Sequence, residues 1–216
     1  MNELIANLKG KLIVSCQAYP GEPLRHPETM AQFAHAAEIG GAAAIRCQGL
    51  SDIAAIKGRV QVPVIGLWKE GHDGVYITPS ARHAKACIMA GADVVAIDAT
   101  GRLRPDGTRF EDTVAAIKDE TLVMADCSCM DDVNRALNCG VDIISTTLAG
   151  YIPGQTKTDG PDLEFLKQAV NAAAGKTPVF CEGRIHNLQD AKDAMGCGAH
   201  AVVVGTAITH PTSITS

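Results

Sequence analysis

The chain has 216 residues, 46% of them apolar and 20% charged, with a formal net charge of −5. That composition excludes a disordered chain, and its scattered basic residues give no concentrated positive surface for a nucleic acid. The length suits one domain with a single core, spanning residues 1–216. No apolar run is long enough to cross a bilayer, and the opening "MNELIANLKGKLIV", with acidic Glu3, does not read as a secretory leader, so a cytoplasmic protein is expected.

In chain order, apolar runs predict strands at 12–16, 42–47, 62–68, 93–98, 121–127, 141–146, 177–183 and 200–205. They are too uniformly apolar for sheets with one wet face. Helical patterns lie between them. One spans 27–39 and starts at Pro27, a good first helical residue. Another spans 78–92, with Thr78 as N-cap and Pro79 in the first turn. Two more cover 129–140 and 186–198. Four near-copies of a helix end, small-residue turn and strand recur about 50 residues apart, and Gly40, Gly91, Gly140 and Gly198 are read as their helix-ending glycines. Strict alternation of eight strands with about seven helices predicts an α/β fold, a closed (β/α)8 TIM barrel. After the last strand only "TAITHPTSITS" remains, so the eighth helix is expected to be short or absent. The outer faces of the first and last strands would then be bare. A second copy of the chain, or the segment 2–9, would cover them, and a homodimer is the expected arrangement.

Eight cysteines are spread along the chain, and only Cys127 and Cys129 stand close together. A lone CxC pair lacks the partners of a zinc site, and the seven histidines form no HxxxH pair. Reduced, structural thiols and no metal site are expected.

Active sites of such folds lie at the C-terminal strand ends. Here those ends carry Ser15 and Gln17, Arg46 and Gln48, Lys69, Asp98, Asp126, Thr146 and Thr147, Glu182, and Gly205. A charged group directly after an apolar run is costly unless it meets water or a partner. Alternation puts Lys69 on the face of Ile65 and Leu67, Asp126 on that of Met124, and Glu182 on that of Phe180, so Lys69, Asp126 and Glu182 are expected in or near one layer of the barrel. The ends of strands seven and eight, "CEGRI" and "VVVGTA", suit a phosphate held by Gly183, Arg184, Gly205 and Thr206. The stretch 147–166, rich in Gly, Pro and Thr, reads as a mobile loop or lid over the mouth, with Tyr151 able to cover a ligand.

The segments "GKLIVSCQ", "AIRCQG", "VPVIGLWK", "GADVVAIDATGRLRP", "MADCS", "ISTTLAGY", "CEGRI" and "AVVVGTAIT" occur in order from residue 10 to 209. Together they resemble the N-acetylmannosamine-6-phosphate 2-epimerase family. The resemblance implies a (β/α)8 barrel of sialic-acid and amino-sugar catabolism that acts on a sugar phosphate without a cofactor. It implies Lys69 as catalytic base, Glu182 as its partner, and substrate contacts from Gln17, Arg46, Asp126 and Arg184. The chain departs from the family pattern at Glu70, where a basic residue is expected, and at His210, where an arginine commonly follows "AIT". Two other readings use the same mouth. One is another metal-free sugar-phosphate isomerase or aldolase, in which Lys69 would form a Schiff base. The other is a non-catalytic sugar-phosphate-binding barrel. A metal-dependent ribulose-phosphate 3-epimerase fits less well, because no His-and-Asp ligand set stands at the strand ends.

Overall fold

A computed structural model describes residues 2–216. Eight parallel strands close in sequence order: β1 (Leu12–Cys16), β2 (Ala44–Gln48), β3 (Val64–Leu67), β4 (Val94–Asp98), β5 (Leu122–Asp126), β6 (Ile143–Ser145), β7 (Val179–Glu182) and β8 (Ala201–Val204). The expected TIM barrel is the observed fold. The barrel has two apolar layers because strand side chains alternate in direction. Ile13, Ala44, Ile65, Val94, Met124, Ile143, Phe180 and Val203 fill its interior. Val14, Ile45, Val95, Val123, Ile144, Cys181 and Val202 point outward into the helical shell.

That shell consists of α2 (Pro27–Ile39), α3 (Leu50–Lys57), α4 (Ala81–Met89), α5 (Phe110–Ile117), α6 (Met130–Cys139), α7 (Leu163–Ala173) and α8 (Leu188–Gly196). Three of the expected left-handed helix ends stand where they were read, at Gly91 (φ 103°), Gly140 (φ 69°) and Gly198 (φ 94°). The first lies one residue later. Gly40 stays right-handed and Gly41 takes the turn at φ 100°. All eight cysteines are free thiols. Burial pushes those of Cys16, Cys87 and Cys181 up to about 12, which keeps them protonated and inert.

Two expectations fail. Thr78 does not cap α4. The cap is Ser80, and Thr78 stands at φ 47°, fully buried, with its N–H donated to the Trp68 carbonyl at 2.8 Å. Pairing across a hairpin outweighs the side-chain cap there. The outer faces of β1 and β8 are not bare either. Val14, Cys16, Val202 and Val204 are all buried. The chain after β8 forms two short helices, α9 (Thr206–Thr209) and α10 (Pro211–Thr215), and α9 folds back onto β1 with Thr209 Oγ1 donating to the Ser15 carbonyl at 2.8 Å. Segment 2–9 does not cross the gap. Its helix α1 (Glu3–Ala6) and the turn after it plug the N-terminal end of the barrel with Ile5 and Leu8, and Nε2 of His200 hydrogen-bonds the Ile5 carbonyl at 2.9 Å.

Close packing leaves no room at Gly66 in β3. A Cβ there would lie 2.8 Å from both Ala92 Cβ and Ile53 Cδ1. Gly66→Ala should cost about 1–3 kcal/mol by overpacking, read as a lower urea midpoint with an unchanged slope.

Candidate active site

The C-terminal ends of the strands open onto a cavity of about 710 Å3. On its β2 side stands Arg46, a guanidinium almost wholly removed from water. Such a charge survives only if paired and hydrogen-bonded. Asp126, from β5, receives both Nη groups, at 3.1 and 2.6 Å. Glu182, from the end of β7, approaches Arg46 Nε at 3.2 Å, but without the alignment of a hydrogen bond. Burial alone would lower the arginine's pKa, but the two carboxylates outweigh it and raise it. Thr147, just past β6, closes the group by bonding Asp126 at 2.8 Å and Glu182 at 3.0 Å, with Ser145 at 2.8 Å behind it.

Lys69 enters from the β3 side. It lies two residues beyond the strand, in a hairpin that runs out over the mouth and returns, with Lys69 bridging Ile77 in antiparallel fashion. Its ammonium donates to Gln17 Oε1 at 2.8 Å, and Gln17 in turn donates to Ser15 Oγ at 2.9 Å. The Tyr19 ring lies 5.4 Å away. Desolvation and then the nearby Arg46 charge lower the Lys69 pKa to about 8, against the weaker upward pull of Glu182 and Asp126. Glu182 moves the other way. Burial raises its pKa, Arg46 opposes, and Asp126 adds to the rise. An amine and a carboxyl whose environments push them toward neutrality are equipped to exchange protons with a ligand near neutral pH.

Gln17, Arg46, Lys69, Glu182, Gly183, Arg184, Gly205 and Thr206 all line the cavity. Asp126 does not; it sits behind Arg46 and Thr147. Asp98 is buried and tied to Thr100 and Arg102, away from the lining. Arg184, at φ 56°, spends its guanidinium on the loop opposite, donating to the carbonyls of Gly160 at 3.0 Å and Ala149 at 2.7 Å and to Thr158 Oγ1 at 2.9 Å. The stretch read as a mobile lid is therefore tied down, with Gln155 adding bonds to Gly150 and Ser128. Among the described residues no cluster of His, Cys, Asp and Glu has the arrangement of a metal site.

Residues 30–216 match the family model described as "Putative N-acetylmannosamine-6-phosphate epimerase". The chain belongs to this family. Among its relatives, a "Putative N-acetylmannosamine-6-phosphate 2-epimerase" of Cutibacterium acnes is 58% identical, over 99% of this chain and 94% of the relative. A protein of the same description from Caldanaerobacter subterraneus is 46% identical, over 99% and 91%. The solved N-acetylmannosamine-6-phosphate 2-epimerase of Clostridium perfringens superposes with a TM-score of 0.94 at 41% identity, covering 99% of this chain and 94% of that one. A thiamine phosphate pyrophosphorylase from Pyrococcus furiosus, 17% identical with a TM-score of 0.64 over 96% and 90%, shares the barrel alone.

Within this family the two departures acquire definite surroundings. His210 lines the cavity beside α9 and pairs with Glu22 of the β1–α2 loop. Glu70 turns away from the cavity toward α4, where it meets His83 at 2.8 Å and Arg82 at 3.4 Å. Sequence reasoning passed over Tyr19 and Tyr76, which join Tyr151 and Trp68 on the cavity wall. All three tyrosines and the one tryptophan of the chain thus surround the mouth. Tyr76 arrives on the returning arm of the hairpin. The Asp73-Gly74 pair between Lys69 and Tyr76, a common hairpin turn, was the available signal.

Proposed function

We propose that the protein interconverts N-acetylmannosamine 6-phosphate and N-acetylglucosamine 6-phosphate, inverting C2 of the ring-opened sugar. The observation that carries this reading is a lysine poised near neutrality in a cavity beside a buried Arg–Asp–Glu cluster, in a chain of the epimerase family. The C2 proton is acidic only when C1 is an aldehyde, so the ring opens first. Glu182, with its raised pKa, carries the proton exchanged between the ring oxygen and O1. Neutral Lys69 then removes the C2 proton. At pH 7 a lysine of pKa about 8 is neutral roughly a few hundred times more often than one of ordinary pKa 10.5. Negative charge develops on O1, where Arg46 Nε–H is the donor without an aligned partner, in a water-poor site. A proton returned to the opposite face of C2 completes the inversion.

This reading predicts that wild-type protein in D2O with N-acetylmannosamine 6-phosphate exchanges and epimerises C2 by proton NMR. Lys69→Ala should lose both while still binding substrate, and near-normal turnover in that variant would remove Lys69 from the role. Because the base must be neutral, kcat/KM should rise about tenfold per pH unit until pH about 8 and then level off. Borohydride with substrate should leave the protein unlabelled; a trapped Lys69 adduct would favour a Schiff-base enzyme instead.

The phosphate is read as sitting over Gly183, Arg184, Gly205 and Thr206. Gly183 has φ 105°, open only to glycine at low cost, and a Cβ on Gly205 would press on Ser15 Cβ at 3.3 Å. A substrate-soaked crystal should place phosphorus there; density near the ends of β3 and β4 instead would overturn the site.

The protein is further read as acting in the cytoplasm, in amino-sugar and sialic-acid catabolism, and as a homodimer. Eight free thiols support a reducing compartment. No helix among the described residues is long and apolar enough to cross a membrane. The exposed Ile208 and Ile214 side chains on α9 and α10 support self-association. Light scattering at micromolar concentration should give a dimer mass, and a monomer mass independent of concentration would refute it.

A further inference from the structure

We propose that His83 is a positioning residue for Lys69, acting through Trp68 and Glu70, the two residues on either side of the lysine. The proposal rests on the reading of Lys69 as the base. The His83 side chain is about 5% exposed at the start of α4, outside the cavity lining. Its ring packs on Trp68 with centroids 4.5 Å apart. Its Nε2 meets Glu70 Oε2 at 2.8 Å, and its Nδ1 meets Ser80 Oγ at 2.6 Å. A carboxylate only accepts, so Nε2 carries the proton shared with Glu70, and Nδ1 exchanges the second hydrogen bond with the Ser80 hydroxyl, which can take either role. Both ring nitrogens and one ring face are thereby committed. Ser80 is the N-cap of α4, yet its side chain makes no capping hydrogen bond. The hydroxyl is spent on His83 instead. Arg82 completes the enclosure, 3.4 Å from Glu70 and 5.5 Å over Trp68.

The hairpin explains why such a grip matters. Its base is fixed by Trp68–Thr78 pairing and by Glu70 N–H donating to the Tyr76 carbonyl at 3.0 Å. Its tip, from Gly71 to Gly74, is exposed and turns through two glycines of positive φ. On the cavity side the Lys69 ammonium has one hydrogen bond, to Gln17. His83 supplies the opposing hold from outside, on the residue before and the residue after. A displacement of about 1 Å in a catalytic group can cost about a hundredfold in rate. Ser80 is buried and does not face the cavity, so this Ser–His–Glu row braces rather than attacks.

Glu70 is half-exposed, so Glu70→Ala should fold even where His83→Ala does not. Full-length Glu70→Ala is expected to lower kcat for C2 epimerisation tenfold or more with KM within about twofold. Glu70→Gln keeps an acceptor for Nε2–H and loses only the charge, and should recover most of that loss. Trp68 is the sole tryptophan, so its fluorescence reads the stack directly, and Glu70→Ala and His83→Asn should both change emission intensity or wavelength. Wild-type kcat in Glu70→Ala, equal losses in the Ala and Gln variants, or unaltered Trp68 emission would each overturn the proposal. Wild-type protein that fails to epimerise would defeat the functional reading instead, while the fluorescence still tests the brace.

Discussion

The buried guanidinium of Arg46 sets the conditions for everything else in the mouth of this barrel. A charge so far from water costs several kcal/mol unless its partners are close and fixed. The closed sheet supplies them, because β2, β5 and β7 cannot shift independently once every strand is hydrogen-bonded to two neighbours. Asp126 takes the two Nη groups, which leaves Nε turned toward Glu182 and the cavity. From that arrangement follow the two displaced acidities. Arg46 helps hold Lys69 down, and it holds Glu182 lower than burial alone would leave it. A neutral residue in its place would leave two carboxylates without compensation and a lysine with less reason to be neutral.

Much of this was legible in the chain because strand chemistry is local. Eight apolar runs and their helical spacers specify the barrel, and a polar side chain two positions beyond an inward-facing apolar one must enter the mouth. Lys69 and Glu182 were found in that way, and Arg46 by its place at the end of strand two. Asp126 was found too, but the same rule could not tell a cavity-lining group from one seated behind another side chain. That distinction depends on contacts across the barrel, between residues 80 positions apart.

The failures share a cause. Local rules assign a residue its commonest role, and tertiary contacts overrule it. Thr78 reads as an N-cap, but pairing with Trp68 holds it at positive φ. The 147–160 stretch reads as a mobile lid, but three of its acceptors are held by the Arg184 guanidinium. Segment 2–9 looks like a patch for an open wall, but Ile5 and Leu8 are buried in the barrel end instead.

Among the described residues three other than glycine stand at positive φ, Ala174 at the end of α7 and two, Thr78 and Arg184, beside the mouth. A β-branched or long side chain at positive φ is uncommon and persists only where its surroundings over-determine it. Thr78 stands at the foot of the hairpin that carries Lys69, and Arg184 directly follows the Glu182–Gly183 turn. The two strained residues therefore anchor the segments bearing the amine and the carboxyl. The chain turns back at Gly71–Gly74 and is paired at its foot by Thr78, so that Lys69 is half-buried and, with the Arg46 charge adding to the effect, loses enough hydration to titrate near neutrality.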